Sequence, residues 1–164
     1  FFSDKIEKYI PAQKGKTHVL HIIRELLSFE PSSKGTDLAQ ALQYFANAQK
    51  RHCTAFLISD FIGAGAVDKP LLIASNRHEV NAIQIYDRRE AELPNIGLVK
   101  FHDAESDKDL WIDTSLATVR DDYAQAWKQN QDLLDQLFTR TGVNHISVRT
   151  DEDYVKALMH LFRC

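Results

Sequence analysis

Cys53-Thr54-Ala55-Phe56-Leu57-Ile58-Ser59-Asp60-Phe61 decides how this chain is read. The run up to Ser59 is nearly all apolar, as expected of a central strand covered on both faces. It ends on a carboxylate. In an open α/β sheet that position lies in the crevice at the carboxyl ends of the strands, where ligands bind near a reversal of strand order. A bland alternative is that Asp60 caps the segment that follows.

Working outward, two more runs have strand character, Val80 to Tyr86 and His145 to Arg149. Helical patterns lie before, between and after them. Alternating strands and helices predict βαβ units and a three-layer, open, mainly parallel sheet flanked by helices. The expected helices are His18 to Leu27, with Val19, Ile22, Ile23, Leu26 and Leu27 on one face, and Thr36 to Lys50, with Leu38, Ala41, Leu42 and Phe45. Asp68 to Arg77 follows, with Pro70 tolerated in its first turn. Ala117 to Arg140 carries the stripe Val119, Tyr123, Trp127, Leu134, Leu137 and Phe138, and Gly142 is its stop. A last helix spans Asp151 to Phe162, with Thr150 as its N-cap. Residues 1–10 read as a strand end with a short antiparallel partner. Residues 96–114 read as an added hairpin with an acidic turn. No repeat or linker interrupts the chain, so residues 1–164 form one domain.

Composition narrows the function. The 164 residues are enough for a single full core. A net charge of −3 without a basic stripe gives no footprint for nucleic acid. Apolar runs such as Ala55 to Ile58 are far too short to cross a bilayer, so no membrane contact is expected of this segment. The opening Phe1-Phe2-Ser3-Asp4 has no secretory leader pattern and reads as a chain starting inside a strand. Cys53 and Cys164 lie outside any disulfide or zinc spacing, which points to a reducing compartment and a cytoplasmic location.

Several motif fragments fail on spacing. Lys14-Gly15-Lys16-Thr17 suggests a phosphate loop, but the required upstream glycine is Ile10. His78-Glu79 begins a zinc-protease pattern whose second histidine would be Ala82. Asp103, Glu105, Asp107 and Asp109 alternate like a calcium loop, yet the turn glycine is Lys108 and the closing glutamate is Thr114. His18 and His21 share a helix face without a third ligand.

What remains is Gly35-Thr36-Asp37-Leu38, which opens the helix leading into the Asp60 strand. Thr36 or Asp37 there is an N-cap by default. A hydroxyl and a carboxylate converging on one crevice are also hard-oxygen ligands of the kind magnesium takes.

Together, Gly35-Thr36-Asp37-Leu38 and Phe56-Leu57-Ile58-Ser59-Asp60-Phe61 resemble von Willebrand factor type A domains. More closely, the chain resembles the uncharacterised bacterial family of such domains associated with MoxR-type AAA+ ATPases. The likeness continues through Phe2-Ser3-Asp4, Ile6-Glu7 and Ile10-Pro11, then Gly15, His18-Val19-Leu20 and Ile23. It runs on through Arg77-His78, Asp87-Arg88-Arg89-Glu90, Leu93-Pro94, Gly97, Asp103 and Glu105 to Asp113-Thr114 and Arg120.

The resemblance implies a von Willebrand A-like, Rossmann-like fold and a non-enzymatic protein-interaction module, an adaptor or chaperone-like partner of a MoxR-type ATPase in complex assembly. It implies a metal-ion-dependent adhesion site in which Thr36 and Asp60 are ligands, while Ser59, Asp37 and Phe61 orient them or meet the partner. The family's Asp-x-Ser-x-Ser stretch does not occur here, and neither does the first central strand that carries it. Mg2+ or Mn2+ is therefore expected in the intact parent protein, with an incomplete site and no bound ion in this chain. The missing strand also implies that either the sheet closes across the gap or apolar edges stay open to self-association. Two alternatives stand beside this reading. One is a magnesium-dependent phosphohydrolase using Asp60, for which the second aspartate two residues on is instead Ile62. The other is a structural scaffold in which Thr36 and Asp60 are caps.

Overall fold

The computed structural model describes residues 1–33, 35–63, 65–103 and 108–161. Lys34, Glu105, Asp107, Cys164 and the end of the last predicted helix at Phe162 lie outside the described residues. In chain order the elements are α1 (Lys16–Ser28), α2 (Leu38–Ala48), β1 (Thr54–Ser59), α3 (Asp68–Ser75), β2 (Glu79–Tyr86) and α4 (Arg88–Ala91). They continue with β3 (Leu98–Asp103), β4 (Lys108–Asp113), α5 (Ala117–Thr141), β5 (Asn144–Arg149) and α6 (Tyr154–Leu161).

The fold is α/β, with a parallel sheet ordered β1-β2-β5 and flanked by helices, and β3 and β4 form the expected antiparallel hairpin. The register sets the faces. Leu57 lies beside Ala82, and Ala55 beside Val80, on the face that joins the core. Phe56 and Ile58 point to the other face, beside Asn81 and Ile83.

The core gathers Leu38 and Leu42 of α2, Leu71 and Ala74 of α3, and Leu134, Leu137 and Phe138 of α5 over Val80 and Ala82. These are the helical stripes that the sequence shows, and burying them drives the assembly. Gly142 ends α5 at φ 66°, and its N–H donates to the Thr139 carbonyl, as a left-handed C-terminal stop requires. His78 is 97% covered: its ring lies 4.8 Å from that of Phe45 and its Nδ1 3.7 Å from Cys53 Sγ, so it is part of the packing.

Four expectations need correction. The central strand is β2, whose Val80 to Gln84 are buried in succession, whereas β1 is an edge of the described sheet and alternates in burial. Among the described residues β1 pairs as a strand with β2. The stripe on α1 does not reach the core: α1 has no buried residue, and Leu26 and Leu27 are 64% and 83% exposed. The N-terminal strand end is only a bridge between Phe2 and Ile6. Thr150 donates to Asp87 and caps nothing, and it is Asp153 that accepts the Val155 N–H.

The N-terminal hairpin is closed by its own backbone, with Phe1 N donating to the Lys8 carbonyl and Glu7 N–H to that of Phe1. Glu7 ties it down by accepting from the hydroxyls of Ser3 (2.7 Å) and Ser32 (2.7 and 2.9 Å). Those bonds, Ser32 first, hold the Glu7 carboxyl below the ordinary glutamate value. Lys8 pairs with Glu25 of α1, and Phe1 stacks on Phe29 at 5.1 Å.

Two outcomes follow from this packing. Phe138→Ala should cost about 3–5 kcal/mol of unfolding free energy in a urea titration, since its ring is 98% covered. For Glu7 the folded carboxyl sits below its unfolded value, so its contribution is present above the unfolded value and lost as pH falls through the folded one. Protection factors over residues 1–8, taken relative to the intrinsic exchange rate at each pH, should therefore fall on acidification, and Glu7→Gln should show low protection at neutral pH already.

Candidate functional site

At the end of β1 the chain reverses inside three residues. Phe61 N–H donates to Ser59 Oγ at 3.1 Å, and Ile62 N–H donates to Asp60 Oδ1 at 3.1 Å. Phe61 has φ 58°, the left-handed region that a bulky residue seldom adopts. Its ring is 97% covered and meets Phe138 edge-on at 5.3 Å. The turn thus drives Phe61 inward and leaves Asp60 exposed on the opposite side. The sequence placed Phe61 at the partner face, and in the structure its side chain is buried in the core instead. A residue that follows an outward carboxylate on a strand would ordinarily alternate inward, and the left-handed turn anchors it there.

Buried polar groups steady the turn from below. Gln84 Nε2 donates to the Asp60 carbonyl at 3.3 Å, and Ser147 Oγ donates to Gln84 Oε1 at 2.8 Å. Gln84 is 96% covered, so it connects the carboxyl ends of all three strands. Nothing in the sequence pattern singled out Gln84 or Ser147.

The second loop arrives from α2. Asp37 is its N-cap, with its carboxylate accepting from Gln40 N–H at 2.8 Å and its own N–H donating to the Ser3 carbonyl at 2.8 Å. Asp37 is thereby committed to the helix end. Gly35 lies close under the hairpin, since a Cβ there would meet Asp4 Cβ at 3.5 Å. Thr36 is exposed.

Thr36, Ser59 and Asp60 share one crevice of about 420 Å³ at the sheet's carboxyl edge, with Phe1, Phe2, Phe29, Pro31 and Ile58 as its apolar walls. The crevice offers a carboxylate and two hydroxyls. Asp60 Oδ1 is already engaged by Ile62 N–H, and Ser59 Oγ lies 3.5 Å from it. Among the described residues no group of three His, Cys, Asp or Glu side chains is placed to hold a metal ion. One carboxylate and neighbouring hydroxyls are too few protein oxygens for a divalent cation held without a further ligand. The His18 and His21 rings are 6.4 Å apart, and His21 Nδ1 lies 3.8 Å from Glu25.

Away from this crevice, Asp87 and Glu90 form a reciprocal capping box that starts α4. An Asp followed three residues later by Glu is a readable signal for such a turn. It frames a cavity of about 740 Å³ under the β3–β4 hairpin, lined by Leu93, Val99 and Phe101 with Arg88, Arg89 and Asp151 at its rim.

Residues 1–133 match the family described as "Protein of unknown function DUF58". "Uncharacterized protein Rv1480" of Mycobacterium tuberculosis is 33% identical over 150 residues, covering 89% of this chain and 46% of that protein. "Uncharacterized protein MAV169" of Mycobacterium avium is 30% identical over 158 residues, covering 94% of this chain and 92% of its own length. The chain thus spans about half the length of the longer relatives it matches, 46% in the Mycobacterium tuberculosis case. The structure titled "Crystal structure of conserved hypothetical protein BatB from Bacteroides thetaiotaomicron" aligns with a TM-score of 0.44 and 13% identity, covering 88% of this chain and 70% of that one. That likeness is too slight to bear on fold or function. The family match and the relatives are sufficient: the chain belongs to the DUF58 family.

The two loops should separate on mutation. Asp37→Ala should lower stability by about 0.5–2 kcal/mol through loss of the cap. Thr36→Ala, at an exposed hydroxyl, should stay within about 0.5 kcal/mol of the parent. Thermal unfolding of both variants checks the difference.

Proposed function

We propose that this member of the DUF58 family is a protein-interaction module of the von Willebrand A kind, without catalytic chemistry of its own. Its partner face is the crevice of Thr36, Ser59 and Asp60. The observation that supports this reading best is the convergence of those residues, from two separate loops, at the carboxyl edge of a parallel sheet. Asp60 is exposed there although the residue after it is locked in the core, which is how a rigid scaffold displays a recognition group.

In this reading Thr36 and Asp60 are a partial ion site. Further oxygens would come from elsewhere in the parent protein, and a bound Mg2+ or Mn2+ would offer an open coordination position to an acidic group of the partner. Ser59 orients Asp60 through their contact, and Asp37 fixes the loop that carries Thr36. The partner is a MoxR-type AAA+ ATPase, for which the module acts as an adaptor in complex assembly, in the cytoplasm.

The phosphohydrolase reading has less support. A strand-end aspartyl nucleophile in such enzymes works beside a second carboxylate. Here the residue two positions on is Ile62, whose N–H occupies the Asp60 carboxylate. A scaffold in which Asp60 is only a cap rests on the same hydrogen bond, and differs in predicting no partner loss on mutation.

In the parent protein, Asp60→Ala should abolish capture of the purified ATPase while the melting temperature holds to within about 3 °C. Unchanged capture would reduce the crevice to a scaffold, and phosphatase turnover lost in the same variant would make the protein an enzyme. For this chain alone, millimolar Mg2+ or Mn2+ should move the melting temperature by less than about 1 °C. A rise of several degrees would show that Thr36 and Asp60 hold the ion without added ligands.

A further inference from the structure

The cavity of about 740 Å³ under the β3–β4 hairpin shares no lining residue with the crevice of Thr36, Ser59 and Asp60. Its apolar lining is Leu93, Pro94, Ile96, Val99 and Phe101. Strand geometry accounts for two of these: Val99 and Phe101 lie two residues apart on β3 and so turn to one face of the hairpin, with Ile112 and Leu110 opposite them. The base of the hairpin is fixed. Buried Thr114 donates its hydroxyl to the Gly97 carbonyl at 2.7 Å and accepts from Ile96 N–H at 3.0 Å. Arg120 in turn donates to the Thr114 carbonyl at 2.7 Å. The cavity is thus built into the fold, and its size is that of a small-molecule site.

The polar side chains that line it are engaged, with one exception. Asp87 accepts from Arg89 N–H and from the Thr150 hydroxyl, Glu92 pairs with Arg88, and Asp151 pairs with Arg149. The Thr114 hydroxyl is in use in both directions. The exception is the Arg89 guanidinium, which is exposed at the rim and has no ion pair or hydrogen bond among the described residues. A polypeptide laid in this cavity would bring backbone N–H and C=O groups that these side chains could not satisfy. A hydrocarbon chain ending in a single carboxylate brings none, and its one charge meets the one free cation.

We propose that this cavity binds a small amphipathic carboxylate, with its hydrocarbon chain against Leu93, Val99 and Phe101 and its carboxylate on Arg89. A guanidinium can donate two parallel N–H bonds to a carboxylate, which fixes the head group at the rim. Affinity comes from moving the chain out of water onto the apolar lining. Arg88 and Arg149 offset Glu92 and Asp151, so these two carboxylates do not stand uncompensated against the ligand. Arg89 follows β2 as Asp60 follows β1, so the ligand lies on the same edge of the sheet as the proposed partner face, and it needs no ion.

The test titrates this chain with octanoate, 1-octanol and acetate at neutral pH and follows backbone amide shifts. Octanoate should shift amides of residues 88–101 and 112–114 saturably. It should bind about tenfold more tightly than octanol, the difference being the charge-assisted contact with Arg89. Acetate, which lacks the chain, should not saturate the site. Arg89→Gln, at an exposed position, should bring octanoate down to the level of octanol and leave octanol binding as it was. Arg88→Gln, at a cation already paired with Glu92, should keep the preference for octanoate. The proposal is overturned if octanoate gives no saturable shifts at the cavity, or if octanol binds as tightly. It is overturned if acetate matches octanoate, which leaves only a surface ion contact. Tighter binding of acetyl-leucyl-phenylalanine with a free carboxylate would overturn it too, because a peptide terminus is then the occupant.

Discussion

One residue in a costly backbone state organises the molecule. A left-handed conformation costs a side chain-bearing residue on the order of 1–2 kcal/mol, and Phe61 adopts it at φ 58°. The cost is offset because its ring is buried and meets Phe138 edge-on, an aromatic contact worth about 1 kcal/mol beyond the area covered. That balance fixes the direction in which the chain leaves β1. It also sets Asp60 outside, Phe61 inside and α5 against the end of the sheet.

The rest of the architecture is lopsided around that point. On one face of the sheet, α2, α3 and α5 close a continuous core with Leu57, Val80 and Ala82. On the other, Ile83 is buried while Phe56, Ile58 and Ile85 are largely exposed, and α1 shows its apolar stripe to solvent. Hydrophobic burial therefore stabilises half of this structure strongly and leaves the other half with apolar surface far beyond scattered single residues.

How much of this was legible depended on what each residue reports locally. The runs Val80 to Tyr86 and His145 to Arg149 gave strands, and the stripe Leu134, Leu137 and Phe138 gave a buried helix face, because periodicity records burial directly. Asp60 and Thr36 were readable as neighbours since a parallel α/β sheet places the turn after β1 and the loop that opens α2, the helix leading into β1, on one edge. The same logic misjudged β1 and α1. An apolar strand and an amphipathic helix look alike whether or not their cover is present, so their sequence states a demand for burial and cannot say what meets it. Phe61 was misplaced for a different reason: it was read together with Asp60 as one exposed strand end, whereas the alternation along β1 already puts the ring of the next residue inside. Gln84 was invisible because a buried amide is defined by its partners, here the Asp60 carbonyl and Ser147, which come from distant parts of the chain.

The polar chain from Ser147 through Gln84 to the Asp60 carbonyl also has a mechanical meaning. A pull exerted on the Asp60 loop does not peel β1 away by itself, because the loop is cross-braced to β2 and β5 at the level of the turn. Load applied there is shared among three parallel strands and taken up in shear, with the hydrogen-bond rows of the sheet strained together instead of one after another. Deleting the brace would leave the fold standing and make the Asp60 turn the first part to yield under tension.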